Sequence, residues 1–260
     1  MTQALHLADR AVLRISGADV RDFLQGLVTN DVRRLDQGPV YAALLSPQGK
    51  YLFDFFLVPD GEDVLLDVKA DRAAALAQRL AMYRLRAKVA VDPTDLAVVA
   101  GTGAPPAGAF ADPRDPALGW RAVTADPAGL LAGLDALDPD ALAALRIERL
   151  VPETGIELVP DDSYILEMGF ERLNGVDFRK GCYVGQEVTA RMKHKTELRK
   201  GLARVRVEGA APPPGTEILA GGRPAGTLLS SAGGQALAYL RFDRAGGALT
   251  AGDARLVREA

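Results

Sequence analysis

Cysteine is nearly missing from this chain: among its 260 residues there is one, Cys182. A single thiol excludes an intrachain disulfide framework and fits a reducing compartment. It also excludes an iron–sulfur cluster held permanently by the chain alone, which takes about four thiolates, or two with two histidines. Histidine is almost as scarce. The two present, His6 and His194, have no ligand spacing such as H-E-x-x-H, so no metal site is expected. Nothing in the sequence orients His194 toward Cys182 and no oxyanion motif accompanies them, which argues against a cysteine–histidine hydrolase. Long apolar runs are absent, so no bilayer-crossing helix and no membrane partner is expected. Residues Met1 to His6 lack the charged start and apolar stretch of a secretory signal, and the expected location is the cytoplasm. An excess of one charge is lacking too. The formal net charge of −3 gives no general attraction for nucleic acid.

What is present is a large apolar fraction, 48% of residues, ample for a core in two or three compact units. Ala11–Ile15 reads as a strand. Ser16 with Asp19 three residues on has the form of a capping box, before a short helix whose apolar face is Val20, Phe23, Leu24 and Leu27. Thr29-Asn30-Asp31 then reads as a turn. Val40–Leu45, Tyr51–Val58 and Val64–Val68 read as strands joined by short Pro- and Gly-bearing turns, and are therefore antiparallel neighbours. A helix over 71–83 follows, with Leu76 and Leu80 inward. Strands and helices mixed in this way indicate an α+β fold.

Two tempting motifs fail. Gly101-Thr102-Gly103-Ala104-Pro105-Pro106 lacks the third glycine of a dinucleotide fingerprint, and Gly49-Lys50 lacks both the first glycine and the Ser or Thr of a phosphate loop. The stretch through Ala117 reads as a surface loop. Asp138-Pro139 opens a helix running to about Leu150. Beyond Arg199, short strand candidates at 202–208, 216–219, 226–230, 236–241 and 255–258 are separated by glycine and proline turns. This density of turns reads as a small β-barrel or sandwich beginning near residue 200.

The stretch richest in chemistry is Arg179-Lys180-Gly181-Cys182-Tyr183-Val184-Gly185-Gln186-Glu187-Val188-Thr189-Ala190-Arg191. Gly181 and Gly185 permit backbone angles that other residues resist, so the thiol is expected at a bend. Arg179, Lys180, Arg191, Lys193 and Lys195 bring positive charge that favours the thiolate. A small buried hydrophobe is the plain alternative for a lone cysteine. Asp54, an acid in an apolar strand, is a second candidate, because burial raises a carboxyl pKa and suits it to general acid/base work.

Lys180-Gly181-Cys182-Tyr183-Val184-Gly185-Gln186-Glu187 resembles the K-G-C-Y-x-G-Q-E signature of the YgfZ-type folate-binding proteins, relatives of the glycine-cleavage T-protein (aminomethyltransferase). Phe23 to Asp31 and Tyr83 to Val89 are similar to further motifs of that family. The resemblance implies a T-protein-like body, residues 1–199, of two interleaved α+β units (roughly 1–95 and 96–199) around antiparallel sheets, followed by a C-terminal β-barrel at 200–260. It implies a cytoplasmic protein that binds tetrahydrofolate or a one-carbon derivative between those units and supports iron–sulfur enzymes, including those of tRNA modification. Its transient partners would be iron–sulfur proteins or assembly factors.

In that reading Glu167 stands where the superfamily binds the pterin, and a carboxylate can accept bidentately from the ring N–H and amino group. Arg86, Lys180 and Arg191 are implied contacts to the folate tail, Tyr83 and Tyr183 could stack on the ring, and Gly181, Gly185, Gln186 and Glu187 shape the loop. Cys182 would line the pocket mouth. The alternative reading is a folate-dependent one-carbon (aminomethyl) transferase acting through Asp54, although Phe53 occupies the place of the family's first aspartate. A direct tRNA binder is the third, resting on local cation clusters.

Overall fold

The computed structural model describes residues 1–195 and 198–259, the side chain of Lys195 excepted; Lys195, expected among the cations near the thiol, therefore has its side chain outside the described residues. Contacts group the chain into two compact units, Met1–Asp138 with Glu171–Gln186, and Pro139–Phe170 with Glu187–Ala260.

The first unit opens with β1 (Gln3–His6), β2 (Arg10–Ser16) and the short helix α1 (Val20–Gln25), then β3 (Val40–Leu45), β4 (Tyr51–Asp60), β5 (Asp63–Lys69), helix α2 (Ala70–Arg84) and β6 (Ala90–Pro93). It continues with β7 (Ala97–Thr102), β8 (Phe110–Ala111), β9 (Trp120–Thr124), helix α3 (Pro127–Leu131) and β10 (Asp135–Ala136). Two five-stranded sheets result, ordered β3-β4-β5-β2-β6 and β10-β1-β7-β9-β8. The expected division near residue 95 falls where the chain passes from one sheet to the other, since β6 ends at Pro93 and β7 begins at Ala97.

Alternation along β4 and β5 explains the layering. Phe53, Phe55 and Leu57 enter a core with Leu24 of α1 and Leu76 and Leu80 of α2. The opposite face carries Phe56 and its register partner Asp67. There Asp67 accepts from Arg10 Nε at 2.6 Å and from Arg121 Nη2, on β9 of the second sheet, also at 2.6 Å. The Arg121 guanidinium lies 4.2 Å from the centre of the Phe56 ring. A buried ionic layer thus links the two sheets, with each charge answered by an opposite one.

Three local expectations change. Ser16 closes β2 and Asp19 makes no side-chain cap; its Oδ2 accepts from Lys88 N at 2.7 Å, so the capping box is replaced by a tie to the chain after α2. The expected loop through Ala117 contains β8 and a 3-10 turn at Pro116–Leu118, with Asp112 and Leu118 buried. The cations after Gly185 lie on a helix, not a loop.

The second unit holds α4 (Pro139–Glu148) and α5 (Gln186–Lys195, from its second residue on). Then follow β11 (Lys200–Glu208), β12 (Glu217–Ala220), β13 (Arg223–Ala232), β14 (Gln235–Arg241), β15 (Leu249–Ala251) and β16 (Ala254–Arg258). The six strands close into a barrel in the order β11-β14-β13-β12-β15-β16, around Val205, Ile218, Leu228, Ala238, Leu240 and Leu256. Closure leaves no unpaired strand edge.

Candidate functional site

The cysteine loop is built by inward anchors on either side of an outward thiol. Lys180 is only 6% exposed, and its ammonium donates to the carbonyls of Gln25 and Val28, the latter at 2.7 Å. Tyr183 is also buried, with its ring centre 5.1 Å from Lys180 Nζ. Between these anchors Gly181 has φ +100°, and Cys182 is exposed. Gly185 has φ +82° and packs so closely that a Cβ there would lie 2.6 Å from the Ser46 carbonyl oxygen. Only glycine fits that approach without displacing backbone.

The motif at 23–31 holds this loop in place. Gln25 Nε2 donates to the Lys180 carbonyl at 3.0 Å, and Thr29 Oγ1 donates to the Gly175 carbonyl at 2.6 Å. Asn30 Nδ2 donates to the carbonyls of Tyr41, at 2.8 Å, and Asn174. Thr29 and Asn30 are buried connectors between segments about 145 residues apart, rather than a solvent-facing turn. Two stretches that stood out separately in the sequence are thereby one structural object.

Burial lowers the Lys180 pKa to about 8, opposed by the negative charges of Asp31 and Asp177, and an electrostatic interaction couples it to Cys182. Its charge reaches the thiol through space, while its N–H groups are engaged by backbone. Lys180 also lines a cleft of about 860 Å³ with Arg21, Gln25, Arg33, Asp36 and Asp63. Cys182 is not among the residues lining that cleft.

Asp54 belongs to a separate cluster in the same unit. Leu44 pairs with Phe53 and Leu45 with Tyr51, so Leu52 is an extra residue in β4. This bulge turns Tyr51 onto the face of Asp54, where plain alternation would put them on opposite faces. Asp54 Oδ1 accepts from the Tyr51 hydroxyl at 2.7 Å and Oδ2 from the Tyr41 hydroxyl at 3.0 Å. Burial, then the Asp54 charge, pushes Tyr41 well above the usual tyrosine pKa, so it remains a donor.

The remaining candidates are dispersed. Tyr83 packs half-buried against the first-unit core, and Arg86 is exposed just beyond α2. Gln186 starts α5, its backbone N donating to the Tyr183 carbonyl at 3.2 Å. Glu187 and Arg191 form an exposed i,i+4 pair at 2.7 Å on α5. Glu167, in the second unit, accepts through Oε2 from the Tyr239 hydroxyl at 2.6 Å. Tyr239, Tyr41 and Tyr51 carried no motif in the sequence; Tyr41 reaches Asp54 from the neighbouring strand, Tyr51 through the bulge in their shared strand, and Tyr239 reaches Glu167 from the barrel. Among the described residues no group of three His, Cys, Asp or Glu side chains could hold a metal ion.

Residues 199–259 match the family described as the CAF17 C-terminal beta-barrel domain. The chain is 33% identical to the human iron-sulfur cluster assembly factor IBA57, mitochondrial, in an alignment covering 94% of this chain and 78% of that protein. The chain belongs to the IBA57 family. The mouse IBA57 protein is 32% identical over the same two shares. The IBA57 homolog of Pyricularia oryzae is 33% identical over 75% of this chain, which spans 54% of the length of that fungal relative. The fold resembles that of the glycine cleavage system aminomethyltransferase T from Bartonella henselae, with a TM-score of 0.80 and 15% identity, covering 99% of this chain and 84% of that one.

These relationships correct two expectations. The YgfZ-type family is a related family; the one to which this chain belongs is IBA57. The cytoplasmic location is overturned, because the IBA57 relatives are named as mitochondrial proteins. A single cysteine fits a reducing environment but selects no compartment.

Proposed function

We propose that this chain supports assembly or repair of iron–sulfur enzymes, including those that modify tRNA, and binds tetrahydrofolate or a one-carbon derivative while doing so. The observation that carries this reading is Cys182, turned outward between two buried anchors, in a chain whose relatives are named iron–sulfur cluster assembly factors. One thiolate is too few to keep a cluster. Cys182 therefore gives a passing ligand to a cluster that is cargo, and an iron–sulfur protein or a further assembly factor supplies the other ligands.

Glu167 is the acceptor for the pterin in this reading, and Gly181 and Gly185 set the loop that presents the sulfur. The one-carbon transferase alternative draws less support, since both Asp54 oxygens already accept from tyrosine hydroxyls. The decisive experiment replaces Cys182 with alanine and measures activation of an iron–sulfur reporter enzyme. Loss of activation with the fold intact is expected, and full activation would remove the thiol from the mechanism. Calorimetry with tetrahydrofolate on wild type and Glu167→Ala tests the ligand separately.

A further inference from the structure

The barrel holds Glu167 at two points. The Glu167 carbonyl accepts from Leu202 N at 2.8 Å, and a Cβ on Gly201 would come within 3.0 Å of the same oxygen. Its carboxylate Oε2 accepts from the Tyr239 hydroxyl at 2.6 Å. Leu202 and Tyr239 are register partners on β11 and β14. One rung of the closed barrel therefore fixes both the main chain and the side chain of a glutamate that lies outside every strand. Burial, and then the hydrogen bond to Glu167, raises Tyr239 above the ordinary tyrosine range, so the hydroxyl stays protonated and donating. A carboxylate only accepts. With Oε2 held, Oε1 is left without a hydrogen-bond partner among the described residues.

We propose that Tyr239 is a positioning residue for ligand recognition at Glu167: its hydroxyl fixes the carboxylate plane and leaves Oε1 to accept an N–H from the 2-amino group of a pterin-like ring. This rests on the folate reading above. It replaces the bidentate grip that the family resemblance implies with one fixed N–H···O contact, whose direction a barrel residue sets. A fixed acceptor discriminates more sharply than a mobile one, because a ligand lacking the donor leaves a desolvated carboxylate oxygen unpaired.

The test is calorimetric titration of the full chain with tetrahydrofolate and with 2-desamino-tetrahydrofolate. Wild type is expected to prefer the amino compound by roughly tenfold or more, the scale of one charge-assisted hydrogen bond. Tyr239→Phe deletes one oxygen from a half-buried ring and is expected to cut that preference by about fivefold, an order-of-magnitude figure for freeing the carboxylate. Glu167→Gln, which keeps the side-chain shape, is expected to reduce it as well. A purely structural tyrosine would lower both affinities by one factor and leave their ratio unchanged, and that result overturns the inference. Equal binding of the two compounds by wild type overturns the amino contact. No binding of tetrahydrofolate by wild type overturns the folate reading, and this inference with it.

Discussion

Lys180 donates its ammonium protons to the Val28 carbonyl at 2.7 Å, so the cation beside the sulfur loop is committed to the chain following α1. With its second bond, to the Gln25 carbonyl, it closes the end of that helix, where the backbone leaves acceptors unsatisfied. The lysine that resemblance assigns to a folate tail is thus part of the scaffold presenting Cys182.

Burial lowers the Lys180 pKa from 10.5 to about 8, so the folded chain gives up this proton before the unfolded chain does. Between those values the unfolded state binds more protons, and stability rises with pH. The advantage of wild type over Lys180→Met should therefore grow from pH 8 to 10.5. Urea melts of both proteins across that window measure it; a constant difference would contradict the assignment.

The two loop glycines should respond unequally to alanine. At Gly181, where a Cβ meets open space, only the left-handed backbone resists, at a cost of about 1–2 kcal/mol. At Gly185 the backbone term is joined by a clash with the Ser46 carbonyl and the Leu45 Cβ, so the loss should exceed that at Gly181 by roughly 1 kcal/mol or more. Thermal melts rank the pair, and the reverse order would show that the Gly185 contact relaxes freely.

Arg121→Met strips Asp67 of one of its two cationic partners in a buried layer. A loss of about 3 kcal/mol is expected, because the uncompensated carboxylate costs more than the lost bond alone. The double variant with Asp67→Leu should be less destabilised than the sum of the single changes. Additive losses in denaturant titrations would count against coupling across the sheets.

Asp54→Asn keeps one acceptor oxygen for one of the two tyrosine hydroxyls and sets an NH2 donor against the other. It should cost about 1–2 kcal/mol in stability, as a weaker acceptor replaces a charged one, and leave activation of the iron–sulfur reporter intact. Wild-type turnover of a methylene donor that disappears in Asp54→Asn would instead establish the one-carbon transferase.

Regular structure was readable wherever one local period ruled. The apolar strands at 40–45, 51–58 and 64–68, the Ala- and Leu-rich helix after them, and the turn-dense barrel all followed from spacing. Long-range competition hid the rest. Asp19 had a capping role on paper, but the Lys88 amide claimed it. β15 is three residues long, too short for a periodic signal, and is defined by its partners β12 and β16. The cysteine loop was legible because its glycines and cations are contiguous. Its anchoring by Thr29 and Asn30 was not, since those hydrogen bonds join positions about 145 apart. The approach of Tyr51 to Asp54 was hidden by the Leu52 bulge, which no alternation rule predicts, and that of Tyr41 by the pairing of two separate strands.

The first unit is completed by Glu171–Gln186, a strap that follows an excursion of the chain through Pro139–Phe170 into the other unit. During translation, both sheets leave the ribosome before the strap does. The carbonyls of Gln25 and Val28 then wait for Lys180, and the thiol becomes mounted only once the strap has docked. Synthesis order thus imposes a schedule: the sulfur cannot be displayed on its finished platform until the strap that carries it has itself been made.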